Sequence, residues 1–260
     1  MKRLSIILLL VFVVLFDAFT PAAQRAKSQA ARKAAAGGEC IGWSYAGHNG
    51  QSHWATLFPQ DCAGRDQSPV NIVNSHPRTS PEIEFSYDAS RLAVNRVNYG
   101  PRINYDPGSS ITVGGMTYER DEFHFHLPGE HRISNAGFVM EMHLVHKTQD
   151  KAHSAAIAVL FRADGPSNPA FQPIIANLPP PGSDRGGTGP RIEAARLLPA
   201  DHAYYKYSGS LTTPCCSEPV LWFVLAAPVR ISTNQLRSFQ NSQGVIRNSR
   251  LVQRQIRADQ

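Results

Sequence analysis

Short stretches of alternating apolar and polar residues follow one another between residues 83 and 118, and this two-residue period is typical of half-buried β-strands. Gly114-Gly115 lies between two of them and predicts a tight hairpin, because both glycines tolerate positive φ. The stretches are Ile83-Glu84-Phe85, Leu92-Ala93-Val94, Ile103-Asn104-Tyr105, Ile111-Thr112-Val113 and Met116-Thr117-Tyr118.

Two continuous apolar runs, 155–161 and 220–226, predict strands that are buried on both faces. Helical signals are few: Asn168-Pro169 is a suitable helix start, and Ser232 with Gln235 forms a capping box. The Gly- and Pro-rich segment 179–190 is interpreted as a surface loop. These patterns predict a single domain dominated by strands.

The amino terminus has a different character. Two basic residues precede the apolar run 4–16, which is too short to span a bilayer comfortably. We predict a signal peptide over residues 1–23 and export to the periplasm or the extracellular space, with no stable membrane insertion after its removal. An uncleaved anchor is the alternative, because no clean cleavage site follows the run. Residues 24–39 are predicted to be an Ala/Lys/Arg-rich linker and residues 40–257 the folded domain.

The formal net charge of +6 is concentrated at the amino terminus. Residues 1–36 contain six bases and one acid, whereas the remaining chain has 20 bases and 19 acids. A strongly basic protein suggests nucleic-acid binding, but this folded part is close to neutral. We therefore expect no nucleic-acid partner.

The four cysteines are spaced as in an exported protein with disulfides, and their spacing does not fit a zinc site. They are Cys40, Cys62 and the adjacent pair Cys215-Cys216. Adjacent cysteines rarely bridge each other because the geometry is strained. Two connectivities remain, and each joins the amino-terminal region to the loop at residues 215–216.

Three histidines fall on two short apolar segments. In a strand, His124 and His126 share one face, and an antiparallel return strand would present His143 on the same face. Three imidazoles without a carboxylate or thiolate ligand leave one tetrahedral position of Zn²⁺ open for water. The pattern therefore predicts a catalytic zinc site.

A carboxylate precedes two of these histidines by two residues, on the same strand face. Metal-bound imidazole usually donates its other N–H to an acceptor that fixes the ring. Glu122 and Glu141 are therefore predicted to accept from His124 and His143 respectively. For His126 we expect a backbone carbonyl.

At this point the chain resembles the α-class carbonic anhydrases, from about Trp43 to Ile256. The resemblance implies a mainly β fold with peripheral short helices (α+β) and a large, mostly antiparallel twisted central sheet. It also implies reversible hydration of carbon dioxide to bicarbonate by a zinc-bound hydroxide. The motifs are Trp43-Ser44-Tyr45, Gln67-Ser68-Pro69-Val70-Asn71-Ile72, Phe123-His124-Phe125-His126, Glu130-His131, Glu141-Met142-His143-Leu144-Val145-His146 and Ser210-Leu211-Thr212-Thr213-Pro214.

The resemblance also assigns roles around the zinc ligands. Thr212 and Glu130 match the hydroxyl and carboxylate that orient the nucleophile, and His131 and His146 are interpreted as structural. Carbon dioxide is uncharged and needs an apolar wall. The positions that match its pocket are Val145, Val159, Leu211, Thr213, Val220 and Trp222.

Two positions depart from the family pattern. Pro101 stands where well-studied members have a proton-relaying histidine, so proton export is expected to limit turnover. The candidates to replace that histidine are His48, His53 and Tyr45. Cys215 replaces a second proline after Thr212-Thr213-Pro214. Cys62–Cys216 matches a bridge common in extracellular members, which leaves Cys40–Cys215 as an inferred second bridge.

Two other functions compete with this interpretation. One is a zinc-dependent esterase or hydrolase acting on small carbonyl substrates, and the other is a catalytically silent binding protein that retains the fold. The presence of all three histidines and of the Thr212 and Glu130 pair favours the enzyme. The expected partners are carbon dioxide and bicarbonate, and a homodimer is considered possible.

Overall fold

The computed structural model of the protein describes residues 40–79, 82–97, 100–104, 106–180, 183, 185–243 and 247–257. The predicted signal peptide and linker lie outside these residues, as do Asn98 and Tyr99 beside Pro101.

Strands dominate the described part of the chain, as predicted. They are β1 (Val70–Ile72), β2 (Ile83–Ser86), β3 (Ala89–Val97), β4 (Gly100–Asn104), β5 (Ser110–Val113), β6 (Met116–His126), β7 (Arg132–Ile133), β8 (Met140–Lys147), β9 (Ser154–Arg162), β10 (Arg185–Glu193), β11 (Tyr204–Gly209), β12 (Val220–Leu225), β13 (Val229–Arg230) and β14 (Arg254–Ile256). The turn between β5 and β6 has positive φ at both Gly114 and Gly115, which confirms the predicted hairpin.

Eleven of the described strands form one large sheet, whose main path runs β10-β3-β4-β6-β8-β9-β12-β11. Strand β13 pairs with β9, and β5 joins β2 to β6. The pairs are antiparallel except β9 with β12 and β9 with β13, so the predicted, mostly antiparallel sheet is confirmed. A small parallel sheet, β14-β1-β7, brings the carboxyl-terminal residues beside β1.

The helices are short and peripheral: α1 (Trp54–Leu57), α2 (Gln172–Ala176) and α3 (Thr233–Gln243), with 3-10 turns at Gly47–Asn49, Gln51–His53, Pro169–Phe171 and Ala194–Leu197. Asn168 caps the turn before α2 through Ala170 N. Ser232 and Gln235 exchange the two hydrogen bonds of a capping box at the start of α3. Within the described ranges, we find no helix with the length and apolarity needed to cross a membrane.

The two faces of the large sheet are both covered. Phe123 and Phe125 of β6 pack with Met142 and Leu144 of β8 in the larger core, which α2 and α3 cover. The opposite face contains a smaller core around Trp222. The histidines of β6 and β8 lie on this second face.

The segment 179–190, interpreted as a loop, instead runs into an edge strand: β10 pairs antiparallel with β3 from Arg185 onward. Its glycines are required by close packing. A Cβ on Gly186 would lie 2.6 Å from Asn177 O, and one on Gly189 would lie 2.7 Å from Asn177 Nδ2. The glycines that suggested a loop therefore let the strand pass against the segment that follows α2.

Candidate metal centre

The pairing of β6 with β8 brings the three predicted histidines together. His124 lies directly opposite His143, and His126 lies opposite Glu141, so all three imidazoles lie on one face. Their ligand nitrogens all lie within 4.8 Å of one another, and all three residues are buried. The arrangement is that of three ligands around one small cation.

Each imidazole is fixed by a hydrogen bond from its outer nitrogen. His124 Nδ1 contacts Glu122 Oε1 at 2.9 Å and His143 Nε2 contacts Glu141 Oε1 at 2.7 Å. These bonds direct His124 Nε2 and His143 Nδ1 toward the centre of the cluster. The two carboxylates therefore occupy the positions that the sequence predicts for them.

The acceptor for His126 is a backbone carbonyl from the far end of the chain. His126 Nδ1 contacts Asn248 O at 2.7 Å. The Asn248 side chain also accepts from Leu127 N at 2.6 Å and donates to Phe125 O at 2.7 Å. Asn248 was not identified from the sequence, because its contacts span more than 120 residues and no local pattern marks it.

Burial favours the neutral form of two of these imidazoles, His126 and His143. The pKa of His126 lies well below its usual range because of burial and the neighbouring charges of His143 and His124. Burial also lowers the pKa of His143 to about 4, although Glu141 opposes the shift. Neutral imidazole is the form that binds a metal ion, so the cluster suits a cation at neutral pH.

Glu141 links the cluster to the residues behind it. Its Oε1 contacts His131 Nδ1 at 2.5 Å as well as His143, and its Oε2 accepts from the backbone N–H groups of Glu130 and His131. Burial raises its pKa, but the charge and hydrogen bond of His131 hold the pKa well below its usual range. His131 in turn contacts Tyr207 Oη at 2.7 Å. His131 therefore supports Glu141, in keeping with the structural role predicted for it.

Glu130 is fully buried below the triad, with Oε1 accepting from Arg250 N at 2.6 Å. Within the described residues its Oε2 has no hydrogen-bond partner. Burial and the Glu141 carboxylate raise the Glu130 pKa well above its usual range, and the neighbouring Thr212 hydroxyl opposes this shift. The structure thus brings Thr212 and Glu130 together beside the triad.

Thr212 lies on a loop that is closely held on both sides. Leu211 N donates to Ser217 O at 3.0 Å, and Cys216 N donates to Thr213 O at 2.7 Å. The chain has both disulfides, Cys62–Cys216 and Cys40–Cys215, and each ties this loop to the amino-terminal segment. These bonds restrict the position of Thr212.

Most residues predicted for the carbon dioxide pocket lie on the histidine face. Val145 follows His143 on β8 by two residues, and the Trp222 ring lies 4.8 Å from the His143 ring. Val220 and Leu211 pack in the same small core as Trp222, and Thr213 is half-buried on the adjoining loop.

Val159 is the exception, and its placement corrects the prediction. Val159 lies opposite Met142 on β9 and packs with Phe125 in the larger core, whereas Ala158 lies opposite His143. A shift of one residue reverses the face in a strand. Val159 therefore belongs to the opposite side of the sheet.

The proton-transfer candidates lie in the amino-terminal segment. His48 and His53 are exposed, and His53 Nδ1 contacts Ser52 Oγ at 3.1 Å. Tyr45 is buried in an aromatic cluster with Trp43 and Trp54. Pro101 lies on β4, where it is buried.

The comparisons with known proteins agree with this geometry. Residues 49–260 match the family model for eukaryotic-type carbonic anhydrase. A carbonic anhydrase from Nostoc sp. is 35% identical over 82% of this chain and 83% of that protein, and one from Neisseria gonorrhoeae is 36% identical over 85% and 87%. The chain therefore belongs to the eukaryotic-type carbonic anhydrase family.

A solved structure extends the likeness to three dimensions. The α-carbonic anhydrase of Photobacterium profundum superposes with a TM-score of 0.75 at 32% sequence identity, and the match covers 82% of this chain and 96% of that one.

Proposed function

We propose that this protein is a zinc-dependent carbonic anhydrase that catalyses the reversible hydration of carbon dioxide to bicarbonate and a proton. The observation that carries the proposal is the buried triad of His124, His126 and His143, with the outer nitrogen of each ring fixed by an acceptor. Family membership supports the same reaction.

The donor set fits zinc. Three imidazoles make up the group, whereas calcium and magnesium prefer oxygen ligands. When bound, zinc supplies a Lewis acid that lowers the pKa of water enough to make it a nucleophile near neutral pH. Three protein ligands leave a position open for that chemistry. A second group, His131, Glu141 and His143, is already joined internally by hydrogen bonds and is interpreted as support for the first.

The remaining residues would orient and enclose the reactants. A Thr212 hydroxyl that donates its proton to Glu130 can act toward the attacking water only as a hydrogen-bond acceptor. The water must then donate a hydrogen to Thr212, and this fixes the direction of attack. Such a role requires ionised Glu130, so the positive charge of a nearby metal must offset the effect of burial on its pKa. Val145, Leu211 and Trp222 would supply the apolar surface that an uncharged substrate needs.

Metal content and stopped-flow hydration test the proposal directly. We expect one zinc per chain and rapid hydration of carbon dioxide, and we expect His124→Ala to abolish both. His76→Ala is the matched control, because His76 is exposed and lies outside the site. A zinc-loaded protein without hydration activity would refute the proposal, and selective cleavage of activated esters would favour a hydrolase instead.

The role of Thr212 has a separate test. Thr212→Val removes the hydroxyl at nearly constant volume, and we expect turnover to fall by about 10²-fold while zinc content is unchanged. Thr212→Ser retains the hydroxyl and should recover much of the activity. Equal losses in both variants would assign Thr212 to packing.

Proton export is proposed to limit turnover, because Pro101 cannot titrate. Added imidazole buffer should then raise turnover more than it does in a homologue with a histidine at the matching position. Replacing His48 or His53 by Ala would identify a substitute relay if turnover in weak buffer fell further.

We also propose that the protein functions after export, in the periplasm or outside the cell. The two disulfides fit an oxidising compartment. Fractionation of expressing cells, with a variant lacking residues 1–23 as the control, tests this. Light scattering of the purified protein tests whether it forms a homodimer.

A further inference from the structure

The face that carries the histidines continues onto β4. Strand β4 pairs antiparallel with β6, with Arg102 directly opposite His124 and Asn104 directly opposite Glu122. Residues directly opposite each other in an antiparallel pair share a face. Ile103, between them, lies opposite Phe123 and is fully buried in the core on the other side, as this register requires.

His124 is therefore flanked by His143 on one side and by Arg102 on the other. Directly opposed side chains have Cβ atoms about 5 Å apart, which is well within the length of an arginine side chain. Arg102 is half-buried, and its Nε contacts Asn104 Oδ1 at 3.3 Å. This contact holds the guanidinium on the histidine face.

The charges around Arg102 give it a distinct character. Arginine is always cationic, and its planar guanidinium matches two oxygens of an oxyanion. Glu122, which lies diagonally across from Arg102 on β6, contacts His124 Nδ1 with both oxygens at 2.9 and 3.0 Å. Arg250 is directed elsewhere, toward Ser68 O and Gln67 Oε1.

We propose that Arg102 is a specificity-determining residue that holds bicarbonate, and other small oxyanions, beside the histidine triad. The proposal rests on the proposed function. Carbon dioxide is uncharged and gains little from a cation, whereas its product is an anion. A guanidinium at the edge of the site therefore distinguishes the two and slows the departure of the anion.

This role has a specific kinetic signature. The equilibrium constant fixes the ratio of kcat/KM for hydration to kcat/KM for dehydration, so no substitution can change one alone. The signature is read in imidazole buffer concentrated enough that proton transfer no longer limits turnover. If Arg102 stabilises bound bicarbonate but not the transition state, its removal then raises KM and kcat for dehydration together and leaves kcat/KM unchanged. A residue that only supports the fold would lower kcat/KM.

Nitrate is a suitable probe, because it is a small planar oxyanion that does not react. Its dissociation constant is measured by calorimetry on the zinc-loaded protein, and its inhibition constant and the bicarbonate KM are measured by stopped flow. For Arg102→Gln we expect both nitrate constants and the bicarbonate KM to rise about fivefold. Arg102→Lys should recover part of the loss.

Arg196→Gln is the matched control. Arg196 is 73% exposed and pairs with Glu193 outside the site, so this change removes the same charge and should leave the constants unaltered. Unchanged constants in Arg102→Gln, or equal changes in both variants, would overturn the proposal. A wild-type protein that binds zinc and nitrate but does not hydrate carbon dioxide would instead refute the proposed function.

Discussion

At the scale of single residues, Glu141 is the carboxylate on which the metal centre depends. One oxygen contacts both His143 and His131, and the other accepts two backbone N–H groups. In Glu141→Gln the new side-chain amide N–H must face one of these N–H donors, and the hydrogen bond at that position is lost. We expect the dissociation constant for zinc to rise about 10- to 100-fold, measured by competition with a chelator.

Glu119→Gln provides the control for this change. Glu119 belongs to β6, as the histidines do, but its side chain is exposed. The same amide there should leave zinc affinity unaltered. If Glu141→Gln bound zinc as tightly as the wild type, the carboxylate would not be the group that orients His143.

His146 makes stability depend on pH. It is fully buried, and burial together with Arg120 lowers its pKa to about 3. The unfolded chain, with an ordinary histidine pKa near 6.5, binds the proton first as the pH falls. The contribution of neutral His146 is therefore complete above about pH 6.5 and is lost progressively toward pH 3.

We expect the free energy of unfolding of the metal-free protein to fall more steeply between pH 6.5 and pH 4 in the wild type than in His146→Gln. The difference in slope approaches about 1.4 kcal/mol per pH unit, the value for one proton. Urea denaturation at several pH values measures it. Parallel slopes would show that His146 is not the group responsible.

The sequence predicted the metal-ligating histidines better than the groups that accept hydrogen bonds from their outer nitrogens. Glu122, His124 and His126 follow from a two-residue period within one strand, so a short window suffices. The acceptor of His126 is a carbonyl 122 residues away, and a backbone group has no signature in sequence. Val159 was placed on the wrong face because every position of a continuous apolar run is equally apolar.

At the scale of elements, the carboxyl-terminal segment around Asn248 completes the end of β6. Its side chain satisfies Leu127 N and Phe125 O, and both groups are buried. Asn248→Ala leaves them unpaired, so we expect the free energy of unfolding to fall by about 2–4 kcal/mol. Zinc affinity should fall too, because the carbonyl that fixes His126 loses its support.

Chemical denaturation and zinc competition measure these two effects. Asn234→Ala is the matched control, since Asn234 is exposed on α3. A loss of stability with unchanged zinc affinity would show that the carbonyl of residue 248 stays in place without the side chain.

Regular elements with a clear period were predictable, and irregular ones were not. The glycines of β10 fit two interpretations, and the close approach of Asn177 that decides between them is a tertiary contact. The register of β6 on β8 likewise shifts between Arg120 and Glu122. This bulge turns Arg120 toward Tyr87 and Phe123 on the core side, although the simple alternation would place it with His124.

At the scale of the whole molecule, two disulfides join the amino-terminal segment to the Thr212 loop. They share one end, because Cys215 and Cys216 are adjacent, while their other ends, Cys40 and Cys62, lie 22 residues apart. The first bridge to form closes a loop of 154 or 175 residues. The second bridge then closes little more than the stretch between Cys40 and Cys62.

Chain entropy therefore predicts that the two bridges are not additive. Removing either pair by Cys→Ser should cost about 3 kcal/mol, since the remaining bridge already closes the long loop. Removing both should cost about 8 kcal/mol, more than twice either single loss. Guanidinium denaturation of the two paired variants and of the variant lacking all four cysteines measures these values.

Comparing these three variants also separates the effect of chain entropy from that of local packing around each bridge. If only one pair mattered, or if the losses simply added, the stabilisation would come from contacts around that bridge and not from loop closure. With one bridge in place, the Thr212 loop is still tied to the amino-terminal segment. Carbon dioxide hydration should therefore survive either single loss more fully than the loss of both bridges.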